Sequence, residues 1–596
     1  MNDHVHSEHA MQNKVHVFFD GTISPRDRHV LATLSSDTVV VMPKVLHKSC
    51  SVPKAVVVAL EDFMSAGSIY DAHALLEELS LLTFKDGTRI TKTSLYKGYE
   101  LWWNNYNTLF IASCIPYTQY KKLLAYLVTF EEVHMHTPPH ASLFQSYLEG
   151  YGVQYTMHRE VRAHIPFGIM LQSVLGVVSV LVRTVLRKPA LVFTGDKFER
   201  EKDHDPRMRD LYEALRERKI PFVEVVRSLE SWKTVLEHAW TRRRPVVYAV
   251  PYIYWGRVIS YCTGAGYRSK RALRARIQAT TNDPRERFKW LLATSYIEDA
   301  SADVWAIRMA TFSVWLMGIR SAFFTKVSDR NFHFFIACKQ RGIKTVGILH
   351  GVASRYYNVY DFVGTYDGEK QIGLDAYGVW SSWWKEYYVI HSKAYTASRL
   401  FVAGPMRPLV LKQEKQRVET KGGREKVKVL FVSEQLAVPE EVLPFLEALL
   451  RTPELEVYMK FRPYRDGFEL WLKEHHEEIL ESVGEEYIMR GTMQDAIRMA
   501  DVVVGSHSTA VLEALLVGKP IVFFKTKKWG DYFELRSYES EHTLYADEED
   551  VFIRAVLKAH TMTPQVITDL AQRFFGDPYQ NGSAWAVAEL EAALHE

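Results

Sequence analysis

Between residues 428 and 524, short runs of β-branched and aromatic residues alternate with longer segments of helical period. Few folds accommodate that alternation. Strand patterns at Lys428–Val432, Glu456–Phe461, Tyr487–Met489, Asp501–Val504 and Pro520–Phe524 enclose helical patterns that include Glu440–Leu450 and Met493–Met499. Apolar strands with a helix between each pair must lie parallel and be covered on both faces. The pattern predicts a doubly wound, Rossmann-like sheet, and such sheets bind ligands beyond the carboxyl ends of their strands.

The same alternation runs upstream. Strand patterns at Val15–Phe19, Thr38–Met42, Ala55–Ala59, Thr108–Ser113 and Glu132–His136 suffice for one small sheet. A second series follows at Ala190–Thr194, Phe222–Val226, Pro245–Val250, Phe332–Ala337 and Lys344–Leu349. Ten strands exceed what a single sheet of this kind holds comfortably, so the chain is split near residue 185. The stretch 267–320 reads as helical, and its apolar run Trp305–Met317 as core. Residues 411–427, polar and carrying Gly422 and Gly423, read as a linker. The expected organisation is an α/β region over 1–185, a Rossmann-like domain over 186–410, the linker, and a second Rossmann-like domain over 428–596.

Composition supports several large cores: 596 residues, of which 47% are hydrophobic and 24% charged. Lys and Arg number 74 against 71 Asp and Glu, without a long block of one sign, so no nucleic-acid partner is expected. Cys50, Cys114, Cys262 and Cys338 are far apart and lack metal spacing, as befits a reducing cytosol. The first residues carry His4, His6 and His9 but no secretory signal pattern, and read as a loose terminus. One segment stands out, the uncharged run Ile165–Val182, followed by Arg183, Arg187 and Lys188. At about 18 residues it is at the lower limit for a membrane span. Pro166, Gly168, Gln172, Ser173, Gly176 and Ser179 interrupt it, and no second span returns the chain. It is therefore read as a buried or interfacial helix whose basic flank suits an anionic bilayer surface.

The run Ala500–Phe524, ADVVVGSHSTAVLEALLVGKPIVFF, carries the most chemistry. A buried strand leads into Gly505, where a ligand can approach the backbone, and Ser506, Ser508 and Thr509 place hydroxyls at the start of a helix that favours phosphate. Glu513, one helical turn beyond Thr509, can accept from ribose hydroxyls. The plainer reading is an N-cap at Ser508 or Thr509 with Glu513 near the helix dipole. Capping alone needs neither the glycine nor three hydroxylated residues together.

Residues 505–520 resemble the donor-binding signature of bacterial GT-B glycosyltransferases and glycerophosphotransferases that build capsules, teichoic acids and other surface polysaccharides. The resemblance rests on Gly505, Ser506, Ser508, Thr509, Glu513, Ala514, Gly518, Lys519 and Pro520, and extends to the YQNGSAW run before the final helix. UDP-sugar 2-epimerases share the pattern. The resemblance implies two facing Rossmann-like domains with the nucleotide held by the C-terminal one. MKFRP (459–463) is similar to a Lys-x-His-Pro run of these relatives, with Arg462 in place of His; Lys460 and Arg462 remain able to neutralise phosphate. The His350–Gly351 pair after the strand KTVGIL is also similar to the family, where it faces the cleft, so His350 is a candidate for proton transfer.

Asp196 and Glu434, each following a strand pattern, are the acids considered as base; Asp20 with Gly21 is a weaker candidate, and all can be turn residues. Phosphate-loop and His-Glu-x-x-His runs are missing from the sequence, and a reaction without cofactor or metal is expected. The reading is a glycosyltransferase that moves a sugar from a nucleotide-activated donor to a glycan or lipid-linked acceptor, in the cytoplasm at the inner membrane face. A UDP-sugar 2-epimerase, a polyol-phosphate transferase and an inactive binding protein of the same fold are the alternatives.

Overall fold

A computed structural model describes residues 13–36, 38–47, 52, 55–158, 165–183, 189–194, 208–227, 232–241, 244–297, 300–351, 354–356, 359–407, 426–434, 438–462, 466–538 and 542–595. The architecture is α/β, built on three parallel sheets flanked by helices. The first sheet comprises β1 (Lys14–Phe18), β2 (Thr38–Met42) and β3 (Val56–Ala59), then, after a short hairpin of β4 (Leu95–Tyr96) and β5 (Tyr99–Glu100), β6 (Glu132–His136) and β7 (Gln154–His158). Its order is β3-β2-β1-β6-β7.

The second sheet takes β8 (Ala190–Thr194), β9 (Phe222–Val226), β10 (Val246–Tyr248), β11 (Ser321–Phe324), β12 (Lys344–Ile348), β13 (Ala376–Val379) and β14 (Leu400–Val402), in the order β10-β9-β8-β11-β12-β13-β14. The third takes β15 (Val427–Val432), β16 (Leu455–Lys460), β17 (Val502–Gly505), β18 (Ile521–Phe524) and β19 (Tyr545–Ala546), ordered β16-β15-β17-β18-β19. Each sheet grows outward in both directions from its first strand. The order therefore reverses beside β1, β8 and β15, and a crevice opens there at the carboxyl ends.

Three strand assignments made from the sequence are corrected. Thr108–Ser113 is helical: Tyr106–Leu109 runs through a π-turn, Phe110–Cys114, into the helix Ile115–Leu127. Pro116 cannot donate to the carbonyl four residues back, that of Ala112, and the wider turn accommodates its ring. The His140 side chain bonds that freed carbonyl instead. Phe332–Ala337 lies in the helix Phe332–Gln340, whose residues 332–338 are all buried, and a helix apolar on every side imitates a buried strand. The strand of that region is the four-residue β11. Tyr487–Met489 makes only a single parallel bridge, Ile488 to Met459, because Lys460 Nζ occupies the carbonyls of Met489 and Gly491 at 2.9 and 2.7 Å.

The units are interlocked. The helix Gly582–His595 leaves the third sheet and packs Ala586, Val587 and Leu590 against Ala190, Val192, Phe323 and Val346 of the second. Tyr70, on the helix Ile69–Leu81 of the first unit, donates to the Asp531 carbonyl of the third at 3.3 Å. No helix among the described residues is long and apolar enough to cross a membrane. The linker assigned from sequence lies largely outside the described residues, and His4, His6 and His9 wholly so.

Candidate functional site

In the third sheet the order reverses between β15 and β17, so the crevice is flanked by Ser433 and Glu434 on one side and by Ser506, His507 and Ser508 on the other. Both margins are built firmly. Ser433 Oγ donates to the Asp466 carboxylate at 2.8 Å, and the same carboxylate caps the helix Gly467–His475 and accepts from Arg462 N at 2.9 Å. Gly505 is required by packing: a Cβ there would lie 2.8 Å from Val511 Cγ2 and 3.2 Å from the Val432 carbonyl oxygen. That space belongs to the core and not to a ligand, a change from the role expected on sequence grounds.

His507 is the residue that sequence reasoning missed. It is 6% exposed, its Nδ1 lies 2.9 Å from Ser506 Oγ, and Trp529 and Tyr532 pack at ring distances of 5.3 and 5.8 Å. Nε2 is buried without a hydrogen-bond partner among the described residues. Burial, and then the positive charges of Lys528 and Arg462, push its pKa down to about 3, so the ring is neutral at ordinary pH. An orphaned nitrogen beside two cations is set to receive a polar ligand. One loop further on, Thr526 Oγ1 is also buried and unpartnered among the described residues. The signal was present in the sequence, since His507 interrupts the hydroxylated run and follows the buried strand by two residues.

Ser508 is the N-cap of the helix Thr509–Leu512, accepting from Ala510 N, so the capping reading holds for this residue. That helix has four residues before it tightens into the 3₁₀ turn Glu513–Val517, and a dipole so short contributes little to anion binding. Glu513 follows one turn after Thr509; burial raises its pKa, opposed by the charge of Arg407. Arg462 is half exposed and lies 3.8 Å from Glu434. Lys460 is buried on the two carbonyls described above, and its pKa is lowered by burial and then by Arg490.

The structure thus groups Glu434, Arg462 and Ser506–Ser508 at one crevice. His350 is exposed just past β12 of the second sheet and precedes Arg355 in the same loop. Arg355 grips Glu534, beyond β18, through Nε at 3.1 Å and through a second nitrogen at 2.9 Å. Loops leaving the carboxyl ends of the second and third sheets therefore meet. Tyr356 adds an edge-to-face contact with Tyr70, bringing the first unit to the same junction. Asp196 lies outside the described residues. Asp20 accepts from Thr137 Oγ1 at 2.7 Å across the reversal of the first sheet.

A second imidazole-rich cluster lies on the first sheet. His136 pairs Nδ1 with Asp27 at 3.0 Å and Nε2 with His16 at 3.1 Å, while His134 pairs Nε2 with Glu132 at 3.0 Å and Nδ1 with His158 at 3.4 Å. Burial foremost, then neighbouring imidazoles, push His16 down to about 3 and His136 to about 4. Among the described residues no group of three His, Cys, Asp or Glu side chains is arranged to hold a metal ion.

No protein-family model and no curated protein matches the sequence. Several solved structures align with 68–69% of the chain at low similarity. A structure described as a putative UDP-N-acetylglucosamine 2-epimerase from Listeria monocytogenes is 12% identical over 69% of this chain and 97% of its own, with a TM-score of 0.38. The UDP-GlcNAc 2-epimerase from Neisseria meningitidis, bound to UDP-GlcNAc, is 11% identical over 68% and 99%, with a TM-score of 0.37. Anabaena HepE, in complex with UDP and glucose, is 13% identical over 68% and 100%, with a TM-score of 0.35. The strand orders given above, rather than these distant likenesses, define the fold as α/β, with three parallel sheets whose order reverses beside the first strand in the manner of a Rossmann-like sheet.

Proposed function

We propose that the chain is a GT-B-type glycosyltransferase that takes a nucleotide-activated sugar at the crevice of the third sheet and passes the sugar to a glycan or lipid-linked acceptor at a membrane surface. The observation that carries this reading is the orphaned His507 Nε2, buried beside Arg462 and Lys528 at the reversal point of a Rossmann-like sheet. When the Ser506 hydroxyl donates to Nδ1, Nε2 carries the ring proton and donates to a phosphate oxygen. The hydroxyls of Ser506, Ser508 and Thr509 add further donors, and Arg462 and Lys528 offset the charge that builds on the leaving phosphate. Glu513 accepts from the ribose. Lys460 acts from behind, fixing the segment 489–491. No metal is required for these roles.

On the facing side, His350 handles the proton of the acceptor or the leaving group, and either Asp196 from that side or Glu434 from the margin of the third-sheet crevice serves as base. The Arg355–Glu534 tie holds the two sets of loops together and limits water in the gap.

A melting-temperature series with UDP, CMP, CDP, GDP and dTDP tests the binding step. A nucleotide at 100 times its Kd stabilises the folded state by about 2.7 kcal/mol. One member of the set is expected to raise the melting temperature, and silence from all five overturns the reading. With the matching nucleotide-sugar, product that forms only with acceptor supports transfer. An isomerised donor formed without acceptor replaces transfer by 2-epimerisation.

A further inference from the structure

The second unit carries an apolar face that the fold leaves uncovered. Of the helix Ile165–Arg183, Met170, Val174, Val177, Val178, Leu181 and Val182 are each at least half exposed. Phe312 and Trp315 on the helix Ala300–Leu316, and Trp255 and Tyr261 on the helix Val250–Cys262, extend the surface. Such a concentration marks an interaction site. Between the three helices runs a groove of about 670 Å³, within the size range of small-ligand sites.

The groove's lining is largely apolar, and two pairs of its polar groups bond to each other. Trp255 Nε1 donates to Ser173 Oγ at 3.0 Å, and Tyr252 donates to Ser313 Oγ at 2.9 Å. Its width has a simple cause. A Cβ at Gly256 would meet the Ala302 carbonyl at 2.5 Å, so two of the helices touch backbone to backbone, whereas a Cβ at Gly176 would meet no atom within 4 Å. One glycine closes the floor and the other opens the wall.

Charge decides the occupant. The helices Ile165–Arg183 and Val250–Cys262, and the neighbouring Ala265–Thr280, contain no acid, and the only acid of Ala300–Leu316 is Asp303, which is turned to His333 at 2.8 Å. Arg257, Arg268, Arg271 and Arg308 are exposed, and Arg308 lines the groove with its guanidinium 4.9 Å from the Trp305 ring. Exposed aromatic and aliphatic side chains beside four exposed arginines, opposed by Glu237 on the adjoining helix Trp232–Thr241, match the boundary between headgroups and acyl chains of an anionic bilayer.

We propose that this groove receives one hydrocarbon chain of an anionic membrane lipid, with Arg308 at its rim against the lipid phosphate. The inference rests on the membrane-surface part of the function proposed above, and it names the class of molecule that this surface holds.

The full chain is titrated, without nucleotide, with dihexanoyl phosphatidylglycerol below its micelle concentration, and with the phosphatidylcholine analogue. Saturable uptake of one anionic lipid per chain is expected. Gly176→Leu, which fills open space on a helix, is expected to bind about ten-fold more weakly, the equivalent of two lost buried methylenes, with an unchanged melting temperature. Arg308→Gln is expected to lose about five-fold for phosphatidylglycerol and nothing for phosphatidylcholine. Equal uptake by the wild type and Gly176→Leu overturns the proposal. So does the absence of uptake, or a dimer in sedimentation that the lipid fails to dissociate, since a second copy would then own the face. A normal nucleotide-induced rise in melting temperature in both variants separates failure of the groove from failure of the donor site.

Discussion

Two groups of buried histidines behave alike in one respect and oppositely in another. On the first sheet, His16 and His136 are held neutral by burial, and both ring nitrogens of His136 are occupied, one by Asp27 and one by His16. At the third sheet, His507 is just as strongly depressed, yet one of its nitrogens has no partner among the described residues. Burial therefore does not separate a structural imidazole from a binding one. Saturation of its hydrogen bonds does.

The comparison can be broken most forcefully with acid. Folded-state pKa values near 3 and 4 lie below the unfolded value of about 6.5, so as pH falls through 6.5 the unfolded chain takes up protons that the folded chain refuses. Stability is full above that value and declines by roughly 1.4 kcal/mol per pH unit for each such group, until pH reaches the folded pKa. Between pH 7 and 5, hydrogen exchange at β1 and β6 is expected to accelerate in keeping with a loss of several kcal/mol, and His16→Asn/His136→Asn to flatten that dependence. A flat profile in the wild type would remove the saturated cluster from the comparison.

Next in size, His507→Gln is expected to reduce nucleotide affinity by about ten- to a hundred-fold, the range of a hydrogen bond to a charged group. His136→Gln should leave affinity unchanged while weakening the first sheet. Reversal of those two results would refute the distinction.

Lys460→Met sharpens the boundary between support and binding at the third sheet. It deprives two carbonyls of their donor and is expected to cost about 1–3 kcal/mol in denaturant unfolding, with little change in affinity. A large loss of affinity at unchanged stability would move Lys460 into the ligand's reach. The smallest effect is reserved for Glu513→Ala, a fall in affinity of about ten-fold or less with the fold intact, measured by titration calorimetry; unchanged affinity removes Glu513 from the site.

Much of this was readable from residue order, for reasons that differ by element. β15, β16 and β18 are short, mostly apolar runs, and their boundaries fell within a residue or so of those expected. β11, β13, β14 and β19, of two to four residues, were not assigned. Phe332–Ala337 misled because a wholly buried helix has no polar face. At the crevice, the hydroxylated run and Arg462 were singled out from the sequence as candidates. The roles of His507 and Gly505 were not, because an unpartnered nitrogen and a filled Cβ space are properties of packing.

The helix Gly582–His595 has a bearing on biosynthesis. It seals Ala190, Val192, Phe323 and Val346, a hydrophobic surface assembled from strands translated long before it. During elongation that surface stays wet until residue 595 clears the ribosome. The middle unit must wait, or be shielded by a chaperone, for its last wall.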